Sequence, residues 1–372
     1  MKKVNGHEVI TLFEKWSPKR YAMEGDPVGL HIGALNRKVE KVLVTLDVNE
    51  AVVDEAIEKG ATLIIAHHPP IFRPLKGVLT DTPQGKMIEK CIKNDISVYA
   101  AHTNLDVAPG GVNDMLASLL ELRETEIVEK TYSEQLYKLT VFCPVSHADD
   151  IRRVLAQAGA GAIGDYMGCS YTTAGTGRFT PTQGAQPFIG SVGEVEEVLE
   201  EKIEVVLPSS IKQKVLKAML GVHPYEEPAY DILLLDQRTN ELGLGRIGTL
   251  EKELTLAQFA EHVKSAFEVP TVRFVGNPSA TIKTVAVLGG DGNKYINAAK
   301  RRGADVLVTG DLYYHVAHDA EAIGLNVVDP GHNVEKVMIQ GVANYMTTAC
   351  IAAKYDVEFI ESKVTTEPFT FI

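Results

Sequence analysis

The sequence predicts an α/β protein in which two related α/β lobes form one domain and a ferredoxin-like α+β domain is inserted between them. Three observations carry this reading. Apolar strands alternate with helices at both ends of the chain. One βαβ stretch near the N-terminus lays over another near the C-terminus without gaps. Between the two, the element order changes to β-α-β-β-α-β. A chain of 372 residues is too long for one core, so more than one domain is expected. The boundaries are set at 1–130 with 237–372 for the discontinuous domain and at 131–236 for the insert.

The N-terminal elements follow from local chemistry. Lys41 to Asp47 reads as a strand, and Asn49 to Lys59 as a helix with Asn49 as cap and Gly60 as stop. Ala61 to His67 is a second apolar strand. Gln84 to Asn94 is a helix, Ile96 to Ala101 a third strand and Gly111 to Leu122 another helix. Near-continuous apolar strands separated by helices indicate parallel strands covered on both faces. The C-terminal part repeats the plan. It has strands at Val285 to Gly290, Ala304 to Asp311 and Asn326 to Asp329, and helices at Lys294 to Arg302, Val316 to Ile323 and Val334 to Thr347. The overlay sets Glu58 to Ile65 against Arg301 to Val308, which puts Asp47 opposite Gly290 and His68 opposite Asp311. A duplication of this kind implies two similar lobes facing each other across a cleft.

The middle segment reads as a strand at Tyr137 to Phe142, a helix at Ala148 to Ala158 and a Gly- and Thr-rich strand or hairpin at Asp165 to Thr180. A strand at Lys202 to Leu207, a helix at Ser210 to Leu220 and a strand at Ile232 to Leu235 complete it, and Thr176 to Val192 is a loop.

Composition excludes several classes. A formal charge of -12 with no clustered basic patch argues against a nucleic-acid partner. Four scattered cysteines form no CxxC pair, which argues against a cysteine zinc site and a disulfide framework and fits a reducing compartment. His7 to Trp16 is amphipathic rather than an unbroken apolar core, and no run reaches the roughly 20 apolar residues of a membrane span. A cytoplasmic protein is therefore expected.

The strong polar residues fall just past the ends of apolar strands. His67-His68 follows Leu63 to Ala66, and His102 with Asp106 follows Val98 to Ala101. Asp311 and His315 follow Val306 to Val308, and His332 with Glu335 follows Val327 to Pro330. The C-terminal strand edge is where open α/β sheets bind ligands. Each residue also has a plain structural use. Adjacent histidines can belong to a turn ended by Pro69-Pro70, Asp106 can cap a helix, and Glu335 can sit on a helix dipole. Four strands delivering such groups to one edge favours a metal site. Mixed imidazole and carboxylate donors suit zinc, iron, manganese or cobalt, with zinc the leading choice. His67, His68, Asp106, His332 and Glu335 cannot saturate two metals, which leaves open positions of the catalytic kind and makes Glu335 the candidate bridge. His31, His102, Asp311 and His315 are candidate orienting or proton-carrying groups, while His318 is read as simply packed in its helix.

With those residues in place, the chain resembles the dinuclear metal-centre family of Ngg1-interacting-factor-three-like proteins, whose bacterial members carry the label GTP cyclohydrolase 1 type 2 homologue. The matching segments are Gly29-Leu30-His31-Ile32-Gly33, Ala66 to Phe72, Ala101 to Asp106 with Gly110 to Asp114, Val308 to Asp311 with His315, and Gly331 to Glu335. The resemblance implies two divalent metal ions per chain held by His67, His68, Asp106, His332 and Glu335. The segment His223-Pro224-Tyr225-Glu226-Glu227 resembles the insert of longer members, which is similar to signalling PII and CutA-like domains. The resemblance also implies a homohexamer, a trimer of dimers. Two functions follow as expectations. One is a metal-dependent hydrolase of a nucleotide-like or phosphorylated small molecule. The other is a non-enzymatic metal-binding or regulatory protein whose insert senses a ligand or drives assembly.

Overall fold

A computed structural model describes the backbone of residues 1–372 and every side chain except that of residue 240. The chain divides into two compact units, Met1–Tyr132 with Leu242–Ile372, and Ser133–Glu241.

The larger unit is built on two sheets. In the first, the strand order is Glu358–Glu361, Lys41–Thr45, Leu63–Ala66, Ser97–Ala100, Gly29–Ile32. All neighbours are parallel except the last pair. Leu63–Ala66 and Ser97–Ala100 are buried along their whole length and Lys41–Thr45 from Val42 onward, as a sheet covered on both faces requires. In the second sheet, Asn326–Asp329, Val306–Gly310 and Thr281–Asp291 run parallel. They are flanked by antiparallel pairings with Arg273–Val275 and with the later part of Tyr230–Thr255. One core joins both sheets. Val44, Leu63 and Tyr99 share it with Val285, Val306 and Val328, together with Leu116 of the helix Val112–Leu119 and Met338 of the helix Val337–Ala352.

The two sheets share a register. Val44 lies beside Ile65 and Ile65 beside Tyr99; in the second sheet Val287 lies beside Val308 and Val308 beside Val328. Three residues beyond the matched Ile65 and Val308 come His68 and Asp311; seven beyond Tyr99 and Val328 come Asp106 and Glu335. The ungapped overlay read from sequence therefore agrees with the hydrogen-bonded register, and it extends to a pair of carboxylates that the overlay did not reach.

Helix boundaries follow their caps. Asn49 accepts a bond from the Val52 amide and Gly60 closes Glu50–Lys59 in the left-handed conformation, as expected from sequence. The helix expected at Lys294 to Arg302 opens as a 3-10 turn, Asn293–Tyr295, before Ile296–Arg301. Likewise His332–Lys336 is 3-10 and the α-helix after it runs on to Ala352, because buried Val342, Met346 and Cys350 keep its apolar stripe going.

The smaller unit takes its sheet from four strands, Tyr230–Thr255, Arg123–Pro144, Glu196–Pro208 and Tyr171–Phe179 in spatial order, which is 4-1-3-2 in chain order. Helices Ala148–Ala158 and Lys212–Leu220 pack on each other. The core holds Leu139, Val141, Ile151, Leu155, Ile203 and Val215. The first and last of these strands are much longer than the apolar segments expected at Tyr137 to Phe142 and Ile232 to Leu235. Their extensions mix polar stretches such as Asp236-Gln237-Arg238-Thr239 with the glycine-broken stretch Gly243 to Leu250, which is largely buried, and neither gave a strand signal. Cys91, Cys143, Cys169 and Cys350 are all free. Among the described residues, no helix is long and apolar enough to cross a membrane.

Candidate metal centre

The site is built at the C-terminal ends of the parallel strands in the larger unit. Leu63–Ala66 stops at Ala66, so His67 and His68 stand beyond the pleat that would have sent them to opposite faces. Their rings lie 5.1 Å apart. The backbone is held there by bonds from the His67 amide to Thr45 O and the His68 amide to Leu46 O. Asp106 belongs to the short helix Thr103–Val107 after the next strand. His332 and Glu335 lie on the 3-10 turn, where residues three apart eclipse, and their Nε2 and Oε2 atoms are 3.2 Å apart.

The imidazoles are aimed by bonds on their far side. His67 Nδ1 donates to Ala101 O at 2.8 Å. His68 Nδ1 donates to Asp47 Oδ1 at 2.7 Å, His332 Nδ1 to Asp311 Oδ2 at 2.7 Å and His102 Nδ1 to Asp26 Oδ1 at 2.8 Å. Each ring thereby has its Nε2 free to face inward, and a carboxylate behind an imidazole also raises its basicity as a donor. Three of those Nε2 atoms meet one carboxylate. Glu335 Oε2 is 3.0 Å from His68, 3.2 Å from His332 and 3.6 Å from His67. Three overlapping trios of ligand atoms result, within 4.8 Å of one another: His67, His68 and His102; His68, His332 and Glu335; His67, Asp106 and Glu335.

Two buried atoms at the centre, His67 Nε2 and Asp106 Oδ1, have no hydrogen-bond partner and stand 3.6 Å apart. An orphaned buried polar atom costs about 1–3 kcal/mol, so a cation between them would relieve a real penalty. The donor set and this gap fit a metal ion. Backbone shape makes room for it. A Cβ on Gly290, where φ is +62°, would come within 2.9 Å of Glu335 Oε1 and 3.3 Å of His332 Nε2. Asp311 itself holds φ 54°, a strained conformation for a residue with a side chain, at the point where it reaches His332.

Charge in the site follows from crowding. Burial disfavours the His68 imidazolium, but hydrogen bonds to Asp47 and Glu335 outweigh it and push its pKa up to about 10. His332 is raised to about 9, first by its bond to Glu335. His67 is also raised: Asp106 and Glu335 overcome full burial. Burial lifts the Asp106 carboxyl, whereas the surrounding histidines hold Glu335 well below the usual carboxylate range despite its burial. The site thus attracts positive charge, and protons take it when nothing else does.

Of the residues expected from sequence, the structure brings together His67, His68, Asp106, His332 and Glu335, with His102 and Asp311 directly behind or beside them. It does not bring His31 or His315 into the cluster. His31 Nε2 is bonded to Pro27 O, one residue from Asp26. His315 is exposed at the start of the helix Tyr314–Ala322, its ring 5.4 Å from that of Tyr314. His318 is exposed on the same helix, with its ring 4.8 Å from Tyr314. Sequence reasoning passed over three residues. Asp47, at the end of a strand like the others, was legible by position. Asp26, in a turn with no periodicity, was not. Asn113 is buried and donates to Asp106 O while accepting from the Gly289 amide, so it ties the helix Thr103–Val107 beside one sheet to a strand of the other. A cavity of about 510 Å³ opens over the cluster, lined by His102, Asp106, His332 and Glu335 with Phe72 and Tyr295.

Fold and site together define a mixed α/β protein with two related sheets and a histidine–carboxylate cluster able to hold a metal ion. The chain belongs to the Duf34/NIF3 (NGG1p interacting factor 3) family, whose model matches residues 4–368. A Bacillus subtilis protein named GTP cyclohydrolase 1 type 2 homolog is 57% identical over 371 residues, covering all of both chains. A Staphylococcus aureus protein of the same name is 37% identical over 365 residues, 98% of this chain and 99% of that one. Among solved structures, a Bacillus cereus protein described as related to NIF3 superposes with a TM-score of 0.93 at 56% identity over the whole of both chains.

Proposed function

We propose that the chain binds two divalent metal ions, zinc foremost, through His67, His68, Asp106, His332 and Glu335, and acts as a metal-dependent hydrolase on a nucleotide-like or phosphorylated small molecule. The observation that carries this is the convergence of three Nε2 atoms on Glu335 Oε2 beside two unpartnered buried atoms. Glu335 belongs to two of the three trios, so it would be the residue common to both ions. Bound there, the metals would supply Lewis acidity toward a phosphoryl or carbonyl oxygen.

The chain's own groups do the rest. Asp47 and Asp311 hold His68 and His332 as Nε2 donors. His102, backed by Asp26, presents its Nε2 beside the cluster and carries a proton to or from a substrate in the adjoining cavity. Phe72 and Tyr295 wall that cavity and displace water from a bound ligand. The name carried by the Bacillus subtilis relative supports a nucleotide-like substrate.

The 4-1-3-2 strand order with two helices supports reading residues 131–236 as an inserted ferredoxin-like domain of PII/CutA type. The family resemblance supports a homohexamer, which sedimentation of the full chain would test. A panel of phosphoesters and nucleotides incubated with zinc-, manganese- or cobalt-loaded protein tests the activity. Turnover per bound metal ion should fall by about 10²-fold or more in His102→Ala. A loaded protein that turns over nothing in the panel favours the regulatory reading, in which the metals hold the two sheets together and the insert senses a ligand.

A further inference from the structure

The smaller unit has a cavity of its own, about 650 Å³, which none of the metal-site residues touch. It is built by the His223-Pro224-Tyr225-Glu226-Glu227 segment, a motif that the metal chemistry leaves unused. His223 is buried, donates from Nε2 to Phe142 O and accepts at Nδ1 from the Tyr225 amide. Burial lowers its pKa, so the ring is a neutral, fixed bracket. That bracket stations Tyr225 in the wall, 5.9 Å from the Phe179 ring and 6.4 Å from the Phe188 ring.

At the same wall lies Glu200, only 9% exposed. Its Oε1 accepts from the Tyr225 hydroxyl at 2.7 Å. Its Oε2 lies against Gly177, where an added Cβ would come within 2.2 Å of it. Among the described residues, no lysine, arginine or histidine pairs with Glu200. A buried carboxylate answered by one neutral hydroxyl is costly unless something positive joins it. Glu226 and Glu227 add two more carboxylates to the lining. The one lining cation, Arg178, has its guanidinium engaged by Glu197, with Nε 2.7 Å from Oε1.

A box of aromatic faces around an uncompensated carboxylate is the chemistry that recognises an organic ammonium ion, through cation–π attraction and a charge-assisted hydrogen bond together. We propose that this cavity binds a small organic amine in its protonated form, with Glu200 taking the ammonium group and Phe179, Phe188 and Tyr225 covering its apolar part. The volume lies in the range of small-molecule sites. The proposal stands apart from the metal centre and survives the failure of the hydrolase reading.

The test uses the full chain and a matched pair of probes, phenethylamine, which is cationic at pH 7, and 2-phenylethanol, its neutral analogue of similar shape. Saturation-transfer NMR with competition titration reads their dissociation constants. Phenethylamine should bind at least ten times more tightly than the alcohol to wild type. Glu200→Gln, which keeps the shape and the tyrosine bond, should remove that preference while metal content stays unchanged. Tyr225→Phe should weaken the amine severalfold. Equal binding of the two probes by wild type overturns the proposal whatever the variants do. A folded Glu200→Gln that still prefers the amine overturns the role of Glu200.

Discussion

The four imidazoles of the centre are held by one repeated device, a bond on Nδ1 that turns Nε2 inward. For three of them the acceptor is a carboxylate, and removing it leaves the imidazole present but loose. Asp47→Ala should therefore keep the fold and lower metal affinity by about 10–100-fold, measured by competition with a chromophoric chelator. Asp47 also accepts from Thr366, which fixes the carboxylate itself. Protonation gives a second handle. The folded pKa values of His68 and His332 lie above the ordinary 6.5, at about 10 and about 9. A raised pKa contributes stability that is fully present below 6.5 and is lost as pH rises through the folded value. The metal-free protein should accordingly show a falling Tm between pH 6.5 and 10, and metal should reverse the trend because it needs the neutral imidazoles. A Tm that rises over that window without metal would contradict the raised values of His68 and His332.

At the level of elements, the candidate ligands reach one point because two sheets share a register and each ends its strands in a short, tight turn. Much of this was legible. The runs Leu63 to Ala66, Val98 to Ala101 and Val327 to Asp329 are apolar enough to mark buried parallel strands, and the histidines and acids directly after them mark the ligand edge. The eclipsed His332–Glu335 pair was legible from its spacing, although the turn is 3-10 rather than the first turn of an α-helix. Asp26 was hidden because its partner His102 lies 76 residues away and nothing local marks it. The extensions of Arg123–Pro144 and Tyr230–Thr255 were hidden because polar stretches and glycines interrupt their apolar residues, so pairing with neighbouring strands rather than a clean alternation marks them as strands. Asn113 tests the coupling between sheets. Its side chain satisfies Asp106 O and the Gly289 amide in a buried setting, so Asn113→Ala should destabilise by about 1–3 kcal/mol in urea unfolding. A change within a few tenths of a kcal/mol would mean that the two bonds are dispensable.

For the molecule as a whole, the larger unit gathers the histidine–carboxylate cluster that could hold metal, and the smaller carries a separate cavity of different character, rich in aromatic faces and acids. The family assignment covers nearly the full chain, so both units belong to the same design. The claim on which the functional account depends is that the histidine–carboxylate cluster holds metal. Elemental mass spectrometry of the zinc-reconstituted and dialysed full chain, alongside a His67→Ala/Glu335→Ala double variant, tests it most directly. The account predicts close to two ions per wild-type chain and a steep loss in the double variant. A wild-type chain that retains no metal after reconstitution, or a double variant that retains as much as wild type, would contradict it.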